Sequence, residues 1–222
     1  MKRTVLITGG ARGLGAAMAK RFEQHGYVVW KPTRAELDLA QPDSVETFLA
    51  RESSRSVDIL INNAGINILN PIEAIDAQTW QTMLQVNLTS VLRLTQAFLP
   101  GMKERQWGRI LNVSSILSLV ARDKRAAYSM TKAALNAFTR ALAVEYGPSG
   151  ILANTLCPGY VDSALTQQNN TPEQLAAITK TIPVRRLGQA GEIAHVAYFL
   201  CSAENSYMTG QEIVADGGFL CQ

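Results

Sequence analysis

Tyr128, Lys132 and Ser115 have the side-chain types and the spacing for acid–base chemistry on an alcohol–ketone pair. Tyr128 and Lys132 are four residues apart in an alanine-rich stretch that predicts a helix, so they lie on one face, one turn apart. A nearby cation favours tyrosinate, and we therefore expect Lys132 to lower the pKa of Tyr128 from its usual value of about 10. Such a phenol can donate and accept a proton. Ser115, thirteen residues before Tyr128, ends a strand-like run and offers a hydroxyl to the same substrate oxygen.

The elements that must position these side chains alternate between short apolar runs and helical patterns. The strand-like runs cover residues 5–7, 28–30, 37–39, 57–61, 110–113, 151–156 and 212–215. The helical patterns cover residues 16–25, 80–99, 126–146 and 192–201. We expect Pro100 to end the second of them. Continuously apolar strands that alternate with helices indicate a parallel sheet covered by helices on both faces.

One connection is too short for this architecture. Only six residues separate Trp30 from the strand-like residues 37–39, whereas a parallel crossover usually needs about a dozen or more. The second crossover helix is therefore expected to be missing, or replaced by a tight loop over the sheet edge.

Length and composition predict a single globular domain over residues 1–222. Hydrophobic residues make up 47% and charged residues 18%, and the net charge of +3 is too small and too scattered for a nucleic-acid groove. No apolar run reaches the about 20 residues that a membrane helix needs. The three cysteines have no metal-binding spacing, so we expect reduced thiols, no bound metal and a cytoplasmic protein without nucleic-acid or membrane partners.

A glycine-rich loop follows the first apolar run, at Thr8-Gly9-Gly10-Ala11-Arg12-Gly13-Leu14-Gly15. Glycines here let backbone N–H groups approach a pyrophosphate, and the N-terminus of the next helix adds the positive end of its dipole. The glycine spacing is wider than the usual dinucleotide fingerprint. We favour nucleotide binding over a strand–helix turn that merely needs glycine.

The residues after the second apolar run bear on which nucleotide we expect. An acidic side chain there would accept the adenosine ribose hydroxyls and repel a 2′-phosphate. The sequence has Thr33 and Arg34 at this point, with Arg12 as a second cation in the glycine loop, and such groups suit a phosphate. We therefore favour NADP(H) over NAD(H). Glu36 leaves the opposite choice open, because it lies about 20 residues past the loop, where a ribose-binding acid is found.

Together these motifs resemble the short-chain dehydrogenase/reductase family in its single-domain form. Besides the glycine loop, the resemblance rests on Asn87, on the spacing of Ser115, Tyr128 and Lys132, and on motifs at residues 62–65, 157–163 and 209–218. The motif at residues 62–65, Asn-Asn-Ala-Gly, is assigned to the turn after the fourth strand. The resemblance implies an α/β fold: a doubly wound (Rossmann) sheet of about seven parallel strands, with the cofactor across their carboxyl ends.

The resemblance also implies roles for the site residues. Ser115 would polarise the carbonyl oxygen, Tyr128 would donate the proton, and Lys132 would hold the nicotinamide ribose. Asn87 would kink its helix and hold a water that links Lys132 to solvent. Two neighbouring serines, at positions 114 and 118, compete with Ser115, but the spacing favours Ser115. The expected cofactor contacts are Gly9, Arg12, Gly13, Leu14, Gly15, Thr33, Arg34, Asp38, Leu39, Asn63, Ala64, Gly65, Tyr128, Lys132, Pro158, Gly159, Val161 and Ser163.

The substrate is expected to be a small carbonyl compound. The polar segment at residues 162–182 carries a helix-start signal at Thr171 and is expected to form a short lid. The C-terminal half resembles 3-oxoacyl-(acyl-carrier-protein) reductases and the polyol or sugar dehydrogenases near them. We therefore expect a reductase of that kind, with a substrate that an acyl carrier protein could carry. An NAD-linked polyol or sugar alcohol dehydrogenase is the alternative.

Three further expectations concern partners. A non-catalytic dinucleotide-sensing protein is the alternative from another class, although all four catalytic positions are filled. Arg122, Lys124 and Arg125 could meet an acidic carrier protein or a substrate phosphate, but we favour a solvated loop. The resemblance implies a homodimer or homotetramer.

Overall fold

The computed structural model of the protein describes residues 2–221, so residues 1 and 222 of the predicted domain lie outside the described part. Its strands are β1 (Thr4–Ile7), β2 (Val28–Trp30), β3 (Ile59–Asn62), β4 (Gly108–Val113), β5 (Ile151–Pro158) and β6 (Glu212–Ala215). Its α-helices are α1 (Gly13–Gln24), α2 (Pro42–Glu52), α3 (Ala77–Leu84), α4 (Ser90–Glu104), α5 (Ala126–Tyr146), α6 (Ala164–Gln168), α7 (Pro172–Thr181) and α8 (Ala190–Cys201).

The strands pair in parallel, in the order β2-β1-β3-β4-β5-β6. The chain first moves outward from β1 to β2, then returns across β1 to β3 and continues outward to β6. This reversal, with helices on both faces, defines a doubly wound α/β sheet and confirms the predicted fold class. The sheet of the described part has six strands, one fewer than the predicted number.

The strand that is absent is the one predicted at residues 37–39. After Trp30 the chain makes a tight turn in which the N–H of Leu37 donates to the Thr33 carbonyl at 2.9 Å. Leu37 and Leu39 are buried in the core without joining the sheet. Their alternating pattern imitates a strand, but the turn is too short for a parallel crossover. The crossover helix is not missing: α2, which the sequence pattern did not reveal, supplies it after the tight loop.

Alternate side chains of the strands feed two separate cores. Leu6 and Leu60 pack in a cluster with residues of α2, α4 and α5, whereas Val5 and Ile59 pack in a cluster with residues of α1 and α8. This two-sided burial explains why the strands are continuously apolar in sequence. None of the helices in residues 2–221 combines the length and the apolar character needed to cross a membrane.

The helical pattern predicted at residues 80–99 is longer and less regular than expected. It starts at Ala77 with α3, passes through a π-helical turn at Gln85–Thr89, and ends at Glu104 with α4. Pro100 lies inside α4 and does not end it. A proline removes one intrahelical hydrogen bond, but the buried side chains of Leu99 and Met102 continue the apolar face past it. Packing therefore overrides the local stop signal.

Candidate active site

Predicted site residues from several elements meet where β3, β4 and β5 end. They line a cavity of about 140 Å³ at the carboxyl edge of the sheet, where doubly wound folds bind ligands. The predicted residues that line this cavity are Leu14, Asn63, Gly65, Ser115, Tyr128, Lys132, Pro158, Gly159, Val161 and Ser163.

Helix α5 carries Tyr128 and Lys132 on its buried face, as their spacing predicts. The Lys132 Nζ donates a hydrogen bond to the Val113 carbonyl oxygen at 2.8 Å and lies 5.7 Å from the centroid of the Tyr128 ring. Ser115 follows β4, and its Oγ accepts the N–H of Leu117 at 3.1 Å. The three side chains therefore reach one cavity from a strand end and from a helix that packs behind it.

The two competing serines make hydrogen bonds that hold the local structure. Ser114 Oγ donates to the Lys132 carbonyl at 3.1 Å. Ser118 Oγ donates to the Ser115 carbonyl at 2.6 Å and accepts from Asn136 at 3.0 Å. Ser115 is the serine whose hydroxyl interacts with Tyr128, where it lowers the pKa of the phenol. These contacts favour Ser115 as the substrate-facing hydroxyl.

Burial governs the acid–base properties of the tyrosine and the lysine. Burial raises the pKa of Tyr128 to about 12, and the Ser115 hydroxyl and the Arg125 guanidinium oppose part of this rise. Burial also lowers the pKa of Lys132 to about 8. The expectation that Lys132 lowers the pKa of Tyr128 is therefore wrong for this structure. The Lys132 ammonium bonds to the Val113 carbonyl, and removal of the phenol from water outweighs the nearby positive charges.

Asn87 lies fully buried in the π-helical turn that separates α3 from α4. Its Oδ1 accepts the N–H of Ile66 at 2.9 Å, and its Nδ2 donates to the Ile66 carbonyl and to Thr131 Oγ1 at 2.9 and 3.1 Å. A Cβ on Gly65 would lie 3.2 Å from Lys132 Nζ and 3.3 Å from Asn87 Oδ1. Glycine at position 65 therefore keeps open the space between these two polar groups.

The shape of the glycine loop fits a dinucleotide pyrophosphate. Gly9 and Gly13 have positive φ angles of 64° and 54°, and a Cβ on Gly15 would overlap the Gly9 carbonyl oxygen. Arg12 precedes α1 without a side-chain cap, and the first turn of α1 carries no acidic residue. The N–H groups of that turn remain available to an anion.

Asn63 and Ala64 are tied directly to this loop. The N–H groups of both residues donate to Thr8 Oγ1 at 3.0 Å, and Asn63 Nδ2 donates to the Thr8 carbonyl at 2.9 Å. The motif follows the third strand of the described chain and not the fourth, because the strand predicted at residues 37–39 does not form. The bonds fix the turn after β3 beside the loop, where a contact to the cofactor would be made.

The residues predicted to select a 2′-phosphate lie on the exposed turn after β2. The Arg34 side chain is 79% exposed, and its Nε pairs with Asp38 at 3.1 Å. The N–H and the hydroxyl of Thr33 both donate to the Glu36 carboxylate, at 2.7 and 2.8 Å, and hold the pKa of Glu36 below its usual value. The Leu39 side chain is buried in the core. Internal carboxylates thus occupy Arg34 Nε and both donors of Thr33.

The segment after β5 forms the remaining wall of the cavity. Ser163 caps α6 by accepting the N–H of Thr166 at 3.3 Å. The predicted lid at residues 162–182 contains α6 and α7, and Thr171 starts α7 with the expected cap, in the form of a capping box. Leu165 and Asn169 of this segment line the cavity. The segment predicted to be a lid is therefore a pair of short helices beside the cavity.

Sequence reasoning missed Arg125 as a site residue. The favoured solvated loop is right for Lys124, which is exposed, but wrong for Arg125, which is buried and lines the cavity beside Tyr128. Asn67 and Tyr160 line the same cavity and were not predicted either. The signal in the sequence is the cluster of Arg122, Lys124 and Arg125 just before Tyr128. The cluster does not show which of these side chains is buried.

Known proteins resemble this chain over nearly its whole length. A family model described as enoyl-(acyl carrier protein) reductase matches residues 30–220. The chain is 32% identical to a 3-oxoacyl-[acyl-carrier-protein] reductase of Vibrio cholerae serotype O1, with 97% of this chain and 96% of the relative covered. The chain belongs to the short-chain dehydrogenase/reductase family. Another member, an acetoacetyl-CoA reductase of Shinella zoogloeoides, is 34% identical and covers 98% of each chain.

Solved structures of short-chain dehydrogenases share the whole fold. A gluconate 5-dehydrogenase from Burkholderia cenocepacia J2315, crystallised in complex with NADP and tartrate, has a TM-score of 0.88 and 29% identity. The match covers 100% of this chain and 97% of that chain. Together with the family membership, these similarities show that the protein is an NAD(P)-dependent oxidoreductase.

Proposed function

We propose that the protein transfers a hydride between NADP(H) and a ketone or secondary alcohol, with Tyr128 as the proton donor and acceptor. One observation carries the proposal: a single cavity is lined by Ser115, Tyr128 and Lys132 and also by Leu14 and Asn63 of the cofactor side. When bound, the dinucleotide supplies or accepts the hydride. The glycine loop and the first turn of α1 would hold its pyrophosphate.

The chain's own side chains manage the proton. With a pKa of about 12, Tyr128 is protonated at neutral pH and can donate to the alkoxide that develops on the substrate. The Ser115 hydroxyl donates a second hydrogen bond that orients and polarises the carbonyl oxygen. Lys132, with a pKa of about 8, is mostly charged at neutral pH and would hold the nicotinamide ribose hydroxyls of the cofactor. The space that Gly65 leaves beside Asn87 would admit the water that restores the proton.

The choice of NADP(H) over NAD(H) is part of the proposal. Arg34 and Thr33 lie on the turn where a 2′-phosphate would be recognised, and the gluconate 5-dehydrogenase relative was crystallised with NADP. A phosphate would replace Asp38 as the partner of Arg34 and Glu36 as the partner of Thr33. Because these internal bonds must break, their cost reduces the gain in affinity that the 2′-phosphate provides.

The preference can be measured by titration with NADPH and NADH, followed by nucleotide fluorescence. Arg34→Ala should weaken NADPH binding about tenfold, as expected for one charge-assisted hydrogen bond, and leave NADH binding unchanged. Arg93→Ala, which also removes an exposed arginine paired with a carboxylate, is the matched control. Equal binding of both nucleotides to the wild type, unaltered by Arg34→Ala, would place Glu36 or Asp38 on the ribose and favour an NAD-linked enzyme.

Two substrate classes follow from the relatives. The reductases of Vibrio cholerae and Shinella zoogloeoides act, by their names, on 3-oxoacyl-[acyl-carrier-protein] and acetoacetyl-CoA, which supports a 3-oxoacyl thioester, and an acyl carrier protein as the partner that carries it. The gluconate 5-dehydrogenase supports a polyol, sugar or sugar-acid dehydrogenase. The polar residues Asn67, Arg125 and Asn169 in the cavity wall favour a polyol, sugar or sugar-acid substrate.

Measured turnover of a carbonyl compound or alcohol distinguishes the two enzyme classes from a protein that only senses dinucleotides. Loss of NADPH absorbance should be followed with 3-oxoacyl thioesters and with sugar-derived ketones, and NAD+ reduction with polyols. Turnover of a thioester alone supports the carrier-protein class, and turnover of the sugar ketones supports the other. Tight NADPH binding without turnover of any carbonyl compound would identify a sensor and refute the proposed chemistry.

A homodimer or homotetramer in the cytoplasm completes the proposal. Helix α5 exposes an apolar stripe that is not needed for the monomer core, formed by Met130, Ala133, Ala137, Ala141 and Val144. Small residues at helical spacing permit close packing of two helices. Light scattering at micromolar concentration should give at least twice the mass of one chain, and a monomer would refute this assembly.

A further inference from the structure

We infer that Arg125 binds a carboxylate of the substrate, so that the ketone reduced beside Tyr128 belongs to a keto acid. The inference rests on the proposed function and narrows its substrate class. Arg125 lies at the start of α5, three residues before Tyr128, and lines the same cavity. Its side chain turns inward and is only 6% exposed.

The guanidinium of Arg125 has far fewer partners than its burial requires. Within residues 2–221 its one hydrogen bond runs from Nη2 to the Asn169 carbonyl at a long 3.4 Å, and its buried Nε has no partner. None of the ion pairs among the described residues includes it. Buried arginines are rarely left without a counter-ion, because the loss of water is compensated only by pairing. An anion that enters the cavity would supply the missing partner.

The neighbours of Arg125 do not supply a negative charge either. The groups that interact with it electrostatically are Tyr160, Arg122 and Tyr128. Arg122 donates to the Tyr160 hydroxyl and lies with its guanidinium carbon 5.4 Å from the centroid of that ring. The cavity wall formed by Arg125 and Tyr160, with Arg122 bonded to the Tyr160 hydroxyl, therefore carries positive charge, and no acid is among the groups that act on Arg125. Such a wall attracts an anion and disfavours a long neutral acyl chain.

A second unpartnered group points to a hydroxylated ligand. Asn67 lines the cavity, its Oδ1 is buried, and its side chain makes no hydrogen bond within the described residues. A substrate hydroxyl could donate to this oxygen, as the buried amide requires. The cavity thus offers a cation for a carboxylate and an acceptor for a hydroxyl, and a compact hydroxylated keto acid satisfies both.

Arg125 could instead act on catalysis without touching the substrate. It bonds to Asn169 of the lid, and it opposes the rise in the pKa of Tyr128. Loss of the bond to Asn169, or of the influence on the Tyr128 pKa, would slow the reduction of acidic and neutral substrates equally. A carboxylate contact predicts a loss confined to the acids, mainly in KM, because the interaction forms when the substrate binds.

The test uses hexanoic acids with a ketone at carbon 2, 3, 4 or 5, together with their methyl esters, which keep the ketone and remove the charge. The holoenzyme with NADPH should reduce at least one acid with kcat/KM about 10- to 100-fold above its ester, the range for a hydrogen bond to a charged group. Arg125→Met should abolish this preference and spare the ester, and Arg125→Lys should restore part of it. Lys124→Asn removes an exposed charge from the same loop and should leave the preference intact.

The outcomes separate this inference from the proposed function. Reduction of the esters without an acid preference, or an equal loss for acid and ester in Arg125→Met, overturns the carboxylate site and leaves the reductase standing. If no ketone is reduced, calorimetry of the same acids and esters with the NADPH-loaded protein decides. Acid binding that Arg125→Met removes would keep the carboxylate site, and absence of acid binding would overturn it; the reductase is refuted only if the thioesters and sugar-derived ketones are not reduced either. If Arg125→Met does not fold, the wild-type preference and Arg125→Lys give the same decision.

Discussion

Replacement of Lys132 by methionine should change how the stability of the unliganded protein depends on pH. Lys132 is only 3% exposed, and burial lowers its pKa from the usual 10.5 to about 8. Below pH 8 both the folded and the unfolded chain carry the proton. Between pH 8 and 10.5 the unfolded chain holds it and the folded chain does not, so the wild-type free energy of unfolding rises with pH across this window.

The size of this rise follows from the two pKa values. The difference between 10.5 and about 8, at about 1.4 kcal/mol per pKa unit, corresponds to about 3 kcal/mol. Lys132→Met has no proton to lose at this position. The wild type should therefore gain about 3 kcal/mol relative to the variant between pH 7 and pH 10.5. At pH 7 the variant should be about as stable as the wild type, since relief of the buried charge offsets the lost bond to the Val113 carbonyl.

Urea unfolding of both proteins without nucleotide, at half-unit steps of pH, measures this difference directly. Lys103→Met is the control, because Lys103 is exposed on α4 and its replacement should give a difference that does not vary with pH. A flat difference between Lys132→Met and the wild type would contradict the reasoning. It would mean that the Lys132 ammonium remains hydrated in the folded protein.

Three further changes have definite expected effects. Ser115→Ala should lower kcat about 100- to 1,000-fold, because it removes a donor to the carbonyl oxygen, and steady-state kinetics would show it; a drop below tenfold would exclude that role. Gly65→Ala should leave the protein folded and lower kcat/KM about 10- to 100-fold, because the new Cβ crowds Lys132 Nζ at 3.2 Å and Asn87 Oδ1 at 3.3 Å; unchanged kinetics would show that the space is not used. Phe22→Ala should lower the free energy of unfolding in urea by about 3–5 kcal/mol, since this ring of α1 is fully buried and packs against α8; a loss below about 1 kcal/mol would mean that the surrounding side chains fill the space it leaves.

Much of the fold could be predicted because its signals are local. Strands buried on both faces are continuously apolar, so β1, β3, β4 and β5 can be predicted at nearly their observed positions. The short edge strands β2 and β6 can be predicted from briefer apolar runs. Residues 37–39 show the limit of such local signals. Their apolar pattern indicates that the side chains are buried, but it does not show whether the backbone pairs with a strand. In the structure β2 is the edge of the sheet, so residues 37–39 do not pair with it. The helix α2 was missed because its apolar face is short.

The site could be predicted where chemistry depends on spacing along one element. Tyr128 and Lys132 share a helical face by periodicity alone, and Ser115 ends a strand at the same edge of the sheet. The pKa of Tyr128 could not be predicted in this way, because it depends on how completely the fold removes the phenol from water. The inward turn of Arg125 was also hidden, since exposed Lys124 and buried Arg125 are adjacent and equally charged in sequence.

The most direct test of the central claim is a single turnover with NADPH that carries deuterium at the transferred position, in the wild type and in Tyr128→Phe. The wild type should place one deuterium on the carbinol carbon of the product for each NADPH oxidised. The variant should still bind NADPH, which fluorescence titration checks, and react at least about 100-fold more slowly, because the proton donor is removed. A variant that retains more than about a tenth of the wild-type rate, or a product without deuterium, would contradict the account.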